Sequence, residues 1–140
     1  MAHTYDSLSV GDSFTWSRVL TMADVRMFAD VTGDDNPIHI DEEAGRLSRF
    51  GRPVAHGIYI LGLASKVLGR DFPGAGSIAV SITAKFLRPV PVGEEVTIEV
   101  RVAEKIDARR HVRIKLYAYC NGKMAVGGEA VVIPPPDAPA

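Results

Sequence analysis

The second half of the chain alternates between apolar and polar residues, and this alternation limits the possible folds more than any other feature. It runs through three segments that each place apolar side chains on one face: 78–86, 96–102 and 112–118. Asn121-Gly122 follows the third segment and favours a tight hairpin turn, because both residues accept positive φ. A fourth strand is expected over about 124–133. The short connections predict an antiparallel sheet with one apolar face.

The first half predicts helices that can cover this apolar face. Residues 21–24 resemble a capping box, and the amphipathic stretch that follows ends at Gly33. We expect an edge strand over about 14–20 and a short helix capped by Asp41. Segment 57–68 is apolar almost all round, so it should form a helix enclosed by other elements. Together these elements predict an α+β hotdog fold, with the antiparallel sheet wrapped around a long central helix.

Length and composition favour one compact domain. The chain has 140 residues, of which 46% are hydrophobic, and we expect a single domain over 1–133 and a flexible Pro-rich tail over 134–140. A formal net charge of -1 argues against nucleic acid or an anionic membrane surface as a partner. The strongly apolar stretch 58–64 is too short to span a bilayer. A single cysteine, Cys120, and a start without a signal-peptide pattern favour the cytoplasm.

Segment 33–39, which reads Gly-Asp-Asp-Asn-Pro-Ile-His, has the residue types that acid–base chemistry needs. Pro37 fixes its own φ and favours an extended Asn36, so a stiff loop can hold a carboxylate and an imidazole at a set distance. Hydration of an enoyl thioester needs such a pair, because water loses a proton as its oxygen attacks C3 and C2 gains one. Asp34 and His39 are the candidates. The alternative is a polar loop in which the carboxylate caps a turn and the imidazole only packs.

A second polar stretch, residues 52–57, lies at the start of the apolar helix. Free backbone N–H groups and the positive end of the helix dipole lie there, and Gly57 allows a substrate carbonyl to approach the main chain. Its N–H could therefore stabilise the charge that develops on a thioester oxygen. His56 is expected to support the site by packing or hydrogen bonding. Ser65 falls near the same helical face, where it could equally serve close packing.

These stretches resemble the MaoC-like family of hotdog proteins, and in particular the single-domain (R)-specific enoyl-CoA hydratases. Residues 33–39 match the family's Gly-Asp-x-Asn-Pro-x-His motif, and His56-Gly57 matches its helix start. Residues 86–94 look like the family's approach to its third long strand. The resemblance covers about residues 8–133.

The resemblance implies a reaction and a role for each matched residue. The reaction is the reversible syn hydration of a trans-2-enoyl-CoA to the (R)-3-hydroxyacyl-CoA. Asp34 and His39 would bind and activate the water, and the Gly57 N–H would polarise the thioester carbonyl. Asn36 would hold the loop and Ser65 would support the site. No metal or redox cofactor is implied, since coenzyme A or an acyl carrier enters as part of the substrate.

The resemblance also implies a homodimer in which the sheets join and the substrate tunnel lies near the interface. A single hotdog chain has sheet edges to cover, which agrees with this. Arg88 and Arg109 are candidate contacts for the phosphates of coenzyme A, although a solvated surface is the default for both. Cys120 lies on the apolar face of its strand and is expected in the core.

Three other functions remain open from the sequence. A 3-hydroxyacyl-ACP dehydratase would use the same residues in the reverse direction. A hotdog acyl-CoA thioesterase would hydrolyse the thioester with a carboxylate and would not require the Asp-x-Asn-Pro-x-His arrangement. A non-catalytic acyl-thioester-binding subunit would have no need of an intact Asp34 and His39 pair.

Overall fold

The computed structural model describes residues 2–137 and contains one five-stranded sheet. The strand order is β1-β3-β4-β5-β2, and each pair of neighbours is antiparallel. This confirms the predicted antiparallel sheet and its N-terminal edge strand. The strands are β1 Ser13–Val19, β2 Ile78–Phe86, β3 Glu95–Ile106, β4 His111–Cys120 and β5 Lys123–Ile133.

Four α-helices accompany the sheet: α1 Met22–Thr32, α2 Pro37–Ile40, α3 Glu42–Leu47 and α4 Gly57–Lys66. A π-helix, Val67–Asp71, continues α4. The predicted capping box starts α1, since the Thr21 hydroxyl accepts from the Asp24 N–H and the Asp24 carboxylate accepts from the Thr21 N–H. Gly33 ends α1 with a φ of 81°, a left-handed conformation that glycine adopts at little cost. Asp41 caps α3 through the Ala44 N–H, as expected.

The core lies between α4 and the curved inner face of the sheet, which confirms the hotdog arrangement. Ile60, Leu63 and Ala64 of α4 are buried against apolar residues of β3, β4 and β5. Burying each large side chain contributes about 1.5–3 kcal/mol, so this face accounts for much of the driving force for folding. Cys120 is buried in this core, and burial raises the pKa of its thiol.

One face of α4 is open, which corrects the expectation that the helix is enclosed. Ile58 is 58% exposed, and Gly62, Ser65 and Gly69 are exposed on the same side of the segment. The sheet of a single chain curves over only part of the helix circumference. The apolar sequence of this segment therefore exceeds what one chain buries.

Strand β2 also departs from the expected pattern of one buried face. A bulge between Ala79 and Ser81 inserts an extra residue, so Ile78 pairs with half-buried Ile133 while Ile82 pairs with buried Ala130. The two isoleucines consequently lie on opposite faces, although the alternation had placed them together. Strand β2 lies at the edge of the sheet and leaves apolar side chains exposed: Ile78, Val80, Ile82 and Phe86.

The first residues of the predicted flexible tail are packed against the domain. Pro134 and Pro135 are buried, and Pro135 lies so close to Gly76 that a Cβ on that glycine would be 3.4 Å from it. Asp137 lies 3.3 Å from Arg110, while residues 138–140 are outside the described residues. Between residues 2 and 137, every helix is too short or too polar to cross a bilayer.

Candidate active site

Segment 33–39 was expected as a stiff loop, and it forms a turn followed by a single helical turn that starts at Pro37. Asn36 has a ψ of 122°, in agreement with the extended conformation expected before a proline. The Asn36 side chain accepts from the Ile38 N–H at 3.3 Å and so caps α2, and Pro37 occupies the first helical position. Asp34 lies in the turn between α1 and α2, and His39 lies within α2. Two short elements therefore determine the separation of the carboxylate and the imidazole.

A main-chain carbonyl determines the tautomer of His39. Its Nδ1 lies 2.6 Å from the carbonyl oxygen of Val54, and a carbonyl can only accept. Nδ1 therefore carries the hydrogen, and Nε2 of the neutral ring keeps a free lone pair. The Val54 N–H donates to the Ile38 carbonyl at 3.2 Å, which ties this segment to α2. Val54 falls within the polar stretch 52–57, but sequence reasoning did not identify it as a site residue, because its backbone makes both contacts.

His56 contacts both members of the predicted pair. It is 2% exposed, and its ring stacks on His39 with centroids 3.9 Å apart and planes inclined by 28°. Its Nε2–H donates to the main-chain carbonyl of Asp34 at 2.9 Å. Nδ1 of His56 is buried without a hydrogen-bond partner within residues 2–137. The ring of Phe28 closes the other side, with centroids 4.7 Å apart.

The carboxylate of Asp34 and ring nitrogens of His39 and His56 lie within 4.8 Å of one another. Asp34 is exposed and His39 is half-buried, so solvent reaches this pair. Two hydrogen bonds of about 2.8 Å to one water can bridge groups at such a separation. The arrangement can therefore hold a single water between a carboxylate and an imidazole.

The same three residues are poorly arranged to share a metal ion. A metal lies in the plane of each imidazole that binds it, at about 2 Å from the nitrogen. The rings of His39 and His56 are stacked, with centroids 3.9 Å apart and planes inclined by only 28°. No single point therefore lies in both ring planes and about 2 Å from a nitrogen of each ring.

The start of α4 adjoins an apolar cavity of about 480 Å³. His56 occupies the N-cap position without a side-chain cap, and the Gly57 N–H has no acceptor within residues 2–137. A Cβ at Gly57 would lie 2.5 Å from the ring of Phe86, so a larger residue at this position would displace that ring. The apolar lining of the cavity includes Phe50, Ile58, Phe86, Leu87, Val90 and Val126.

The remaining predicted site residues fall in different places. Arg88 lines the cavity beside Gly57, whereas Arg109 lines a second cavity near Ile133. Val126 lines the first cavity and Ile133 lines the second, and the two residues are seven positions apart on β5. At about 3.3 Å per residue, the two cavities are therefore about 23 Å apart. Ser65 is on the open face of α4, without a side-chain hydrogen bond inside the described chain.

Comparison with known proteins places this chain in one family. The MaoC like domain matches residues 10–119. A 3-hydroxybutyryl-CoA dehydratase from Methylorubrum extorquens is 38% identical over 128 residues, covering 91% of this chain and 82% of that protein. An (R)-specific enoyl-CoA hydratase from Aeromonas caviae is 37% identical over 127 residues, covering 90% and 95%. The unliganded R-hydratase PhaJ1 from Pseudomonas aeruginosa superposes with a TM-score of 0.93 at 31% identity, covering 97% and 88%.

Proposed function

This chain belongs to the MaoC-like family of hydratases and dehydratases, which are hydro-lyases, and from this premise we propose its reaction. It catalyses the reversible syn hydration of a trans-2-enoyl-CoA to the (R)-3-hydroxyacyl-CoA, with Asp34 and His39 as the acid–base pair. The observation that carries this proposal is the solvent-open approach of the Asp34 carboxylate to the His39 imidazole, within 4.8 Å.

In this reaction, one water is held between the Asp34 carboxylate and the lone pair of His39 Nε2. As the water oxygen bonds to C3, the pair takes up one of its protons, and a proton is delivered from the pair to C2. Both groups lie on one side of the substrate, so oxygen and hydrogen add to the same face. The reverse sequence removes water from the 3-hydroxyacyl thioester.

The negative charge that forms on the thioester oxygen also needs a donor that is already in position. The proposed donor is the Gly57 N–H, which lies at the start of α4 on the wall of the cavity. It has no competing acceptor in the described chain, and the helix dipole favours negative charge there. The thioester would therefore lie in this cavity, with its carbonyl towards α4.

The proposal is tested with purified protein and crotonyl-CoA, by following the loss of enoyl absorbance without added cofactor. Asp34→Asn and His39→Gln should each lower kcat by about 10²–10⁴-fold, because each removes one partner of the water. Asp35→Asn is the matched control and should keep a near-normal rate. Near-normal turnover in both pair variants would contradict the assigned roles. Release of free thiol instead of hydration would indicate a thioesterase.

We also propose that the working protein is a homodimer. The open edge of β2 and the open face of α4 together expose apolar side chains that a second copy can cover, among them Ile58, Ile78 and Val80.

A further inference from the structure

Two arginines border the apolar cavity beside Gly57, and only one of them was a candidate from sequence. Arg49 follows α3, and Arg88 follows β2. Arg88 donates through Nη1 to the Met124 carbonyl at 2.7 Å, and the Arg49 guanidinium lies 5.7 Å from the ring centroid of Phe50. Both arginines line this cavity and are exposed to solvent. Val54, whose carbonyl accepts from His39, lines the same cavity.

The charge of these two guanidiniums is not balanced by nearby acids. Within residues 2–137, neither forms an ion pair, and the cavity lining includes no Asp or Glu. Six other arginines lie within 3.3 Å of a carboxylate oxygen: Arg18, Arg46, Arg52, Arg101, Arg110 and Arg113. Arg26, Arg70 and Arg109 also form no ion pair in the described part of the chain, but they do not line this cavity. The cavity is consequently apolar, and the positive charges of Arg49 and Arg88 beside it are not balanced by a carboxylate.

Such a cavity suits a ligand with an apolar or weakly polar end and an anionic end. A guanidinium binds a phosphate through two parallel N–H donors, and it is less strongly hydrated than an ammonium group. An acyl thioester of phosphopantetheine combines both ends in one molecule. This inference rests on the proposed function, which positions the thioester at Gly57.

We propose that Arg49 and Arg88 form an anion-binding mouth that holds a phosphate of the phosphopantetheine arm while the thioester lies at Gly57. The phosphate comes either from coenzyme A or from the prosthetic group of an acyl carrier protein. Arg109, in the cavity at the far end of β5, has no part in this mouth.

The test compares crotonyl-CoA with crotonyl-pantetheine, which has the same reacting end but no phosphate. Arg49→Gln and Arg88→Gln should each raise KM for crotonyl-CoA roughly tenfold, the expected loss for one charge-assisted hydrogen bond. Values of kcat, and KM for crotonyl-pantetheine, should stay unchanged. Arg109→Gln is the matched control and should behave as the wild type with both substrates. An equal rise in KM for both substrates, or no rise with either, overturns the proposal.

Binding of coenzyme A and of pantetheine, measured by calorimetry on the same variants, tests the mouth without relying on turnover. If the wild type hydrates neither substrate, the proposed reaction fails, yet a selective loss of coenzyme A affinity in both variants still supports the mouth. Equal affinity of the wild type and both variants for coenzyme A overturns it. Crotonyl-acyl carrier protein is the third substrate, and a larger KM rise with it than with crotonyl-CoA identifies the carrier as the source of the phosphate.

Discussion

His39 owes its chemical state to a residue outside its own motif. The Val54 carbonyl requires a hydrogen on Nδ1, so the free lone pair is on Nε2. His56 then restrains both partners, through a hydrogen bond to the Asp34 main chain and a ring stacked on His39. These contacts make His56 a positioning residue in the proposed reaction.

Replacing His56 by Phe separates its two contacts. Phenylalanine keeps a ring against His39 but removes the donor to the Asp34 carbonyl, so the carboxylate loses one restraint on its position. We expect kcat for crotonyl-CoA to fall roughly tenfold with KM little changed, since about 1.4 kcal/mol is tenfold in rate. A wild-type kcat in His56→Phe would contradict the positioning role, and thermal unfolding shows whether the variant is folded.

Gly57→Ala tests the close approach between α4 and Phe86. The backbone N–H remains, but the added methyl would lie 2.5 Å from the Phe86 ring, which is 53% exposed and can turn away into the cavity. We expect a higher KM for crotonyl-CoA from steady-state kinetics. The double variant with Phe86→Ala removes the clash and should regain a lower KM. No rescue in the double variant would mean that the methyl itself obstructs the substrate.

At the scale of elements, the start of α1 matters because the same helix ends at Gly33, next to Asp34. Thr21→Ala removes the side-chain half of the capping box and should lower the free energy of unfolding by about 1 kcal/mol. Thr21→Ser keeps the hydroxyl and should stay close to the wild type. Urea unfolding of the three proteins gives the comparison, and equal stability of all three would show that the cap is not needed.

Asp24, the second residue of the capping box, predicts that the stability of the protein depends on pH. Partial burial raises the pKa of Asp24, but hydrogen bonds from Thr21 and Arg18 outweigh it and lower the pKa below its ordinary value. A lowered folded pKa gives stability that is present above the unfolded pKa of about 4 and is lost as the pH falls. Asp24→Asn should therefore be less stable than the wild type at pH 7, and the difference should shrink at pH 3. A constant difference would exclude this contribution.

Two adjacent glycines of β5 should differ sharply in their tolerance of alanine. A Cβ at Gly128 would lie 2.1 Å from the Thr83 carbonyl oxygen, which is rigid backbone of β2. A Cβ at Gly127 would lie 3.0 Å from the Met124 sulfur, which can move. Gly128→Ala should cost about 1–3 kcal/mol in unfolding experiments and Gly127→Ala clearly less. A reversed order would contradict the close pairing of β2 with β5.

At the scale of the whole molecule, the exposed apolar side chains of edge strand β2 predict that two copies of the chain associate. If two copies join there, the wild type should have twice the chain mass in light scattering after size exclusion. Val80→Lys, in the bulge of β2, should shift the mass towards the monomer, because a charge would be buried at the junction. Val10→Lys is the matched control, since Val10 is 64% exposed outside β2. A monomeric wild type would contradict the proposed homodimer.

Local patterns in the sequence were enough to predict most elements of the fold. Alternation determined the strands, Thr21 and Gly33 marked the limits of α1, and Asn121-Gly122 turns with positive φ at both residues. These signals are local because hydrogen bonding and side-chain direction repeat with the period of each element. The close placement of Asp34 and His39 followed from their spacing within one short segment.

Contacts between distant segments were decided only by the tertiary structure. The Val54 carbonyl on His39, the stacking of His56 and the shared cavity of Arg49 and Arg88 join residues from separate elements. Main-chain acceptors carry no residue-type signal, and the bulge in β2 changes which side chains face the core without breaking the alternation. The sequence therefore determined which groups are available for chemistry, and folding determined which lone pair is free and which charges lie at the cavity.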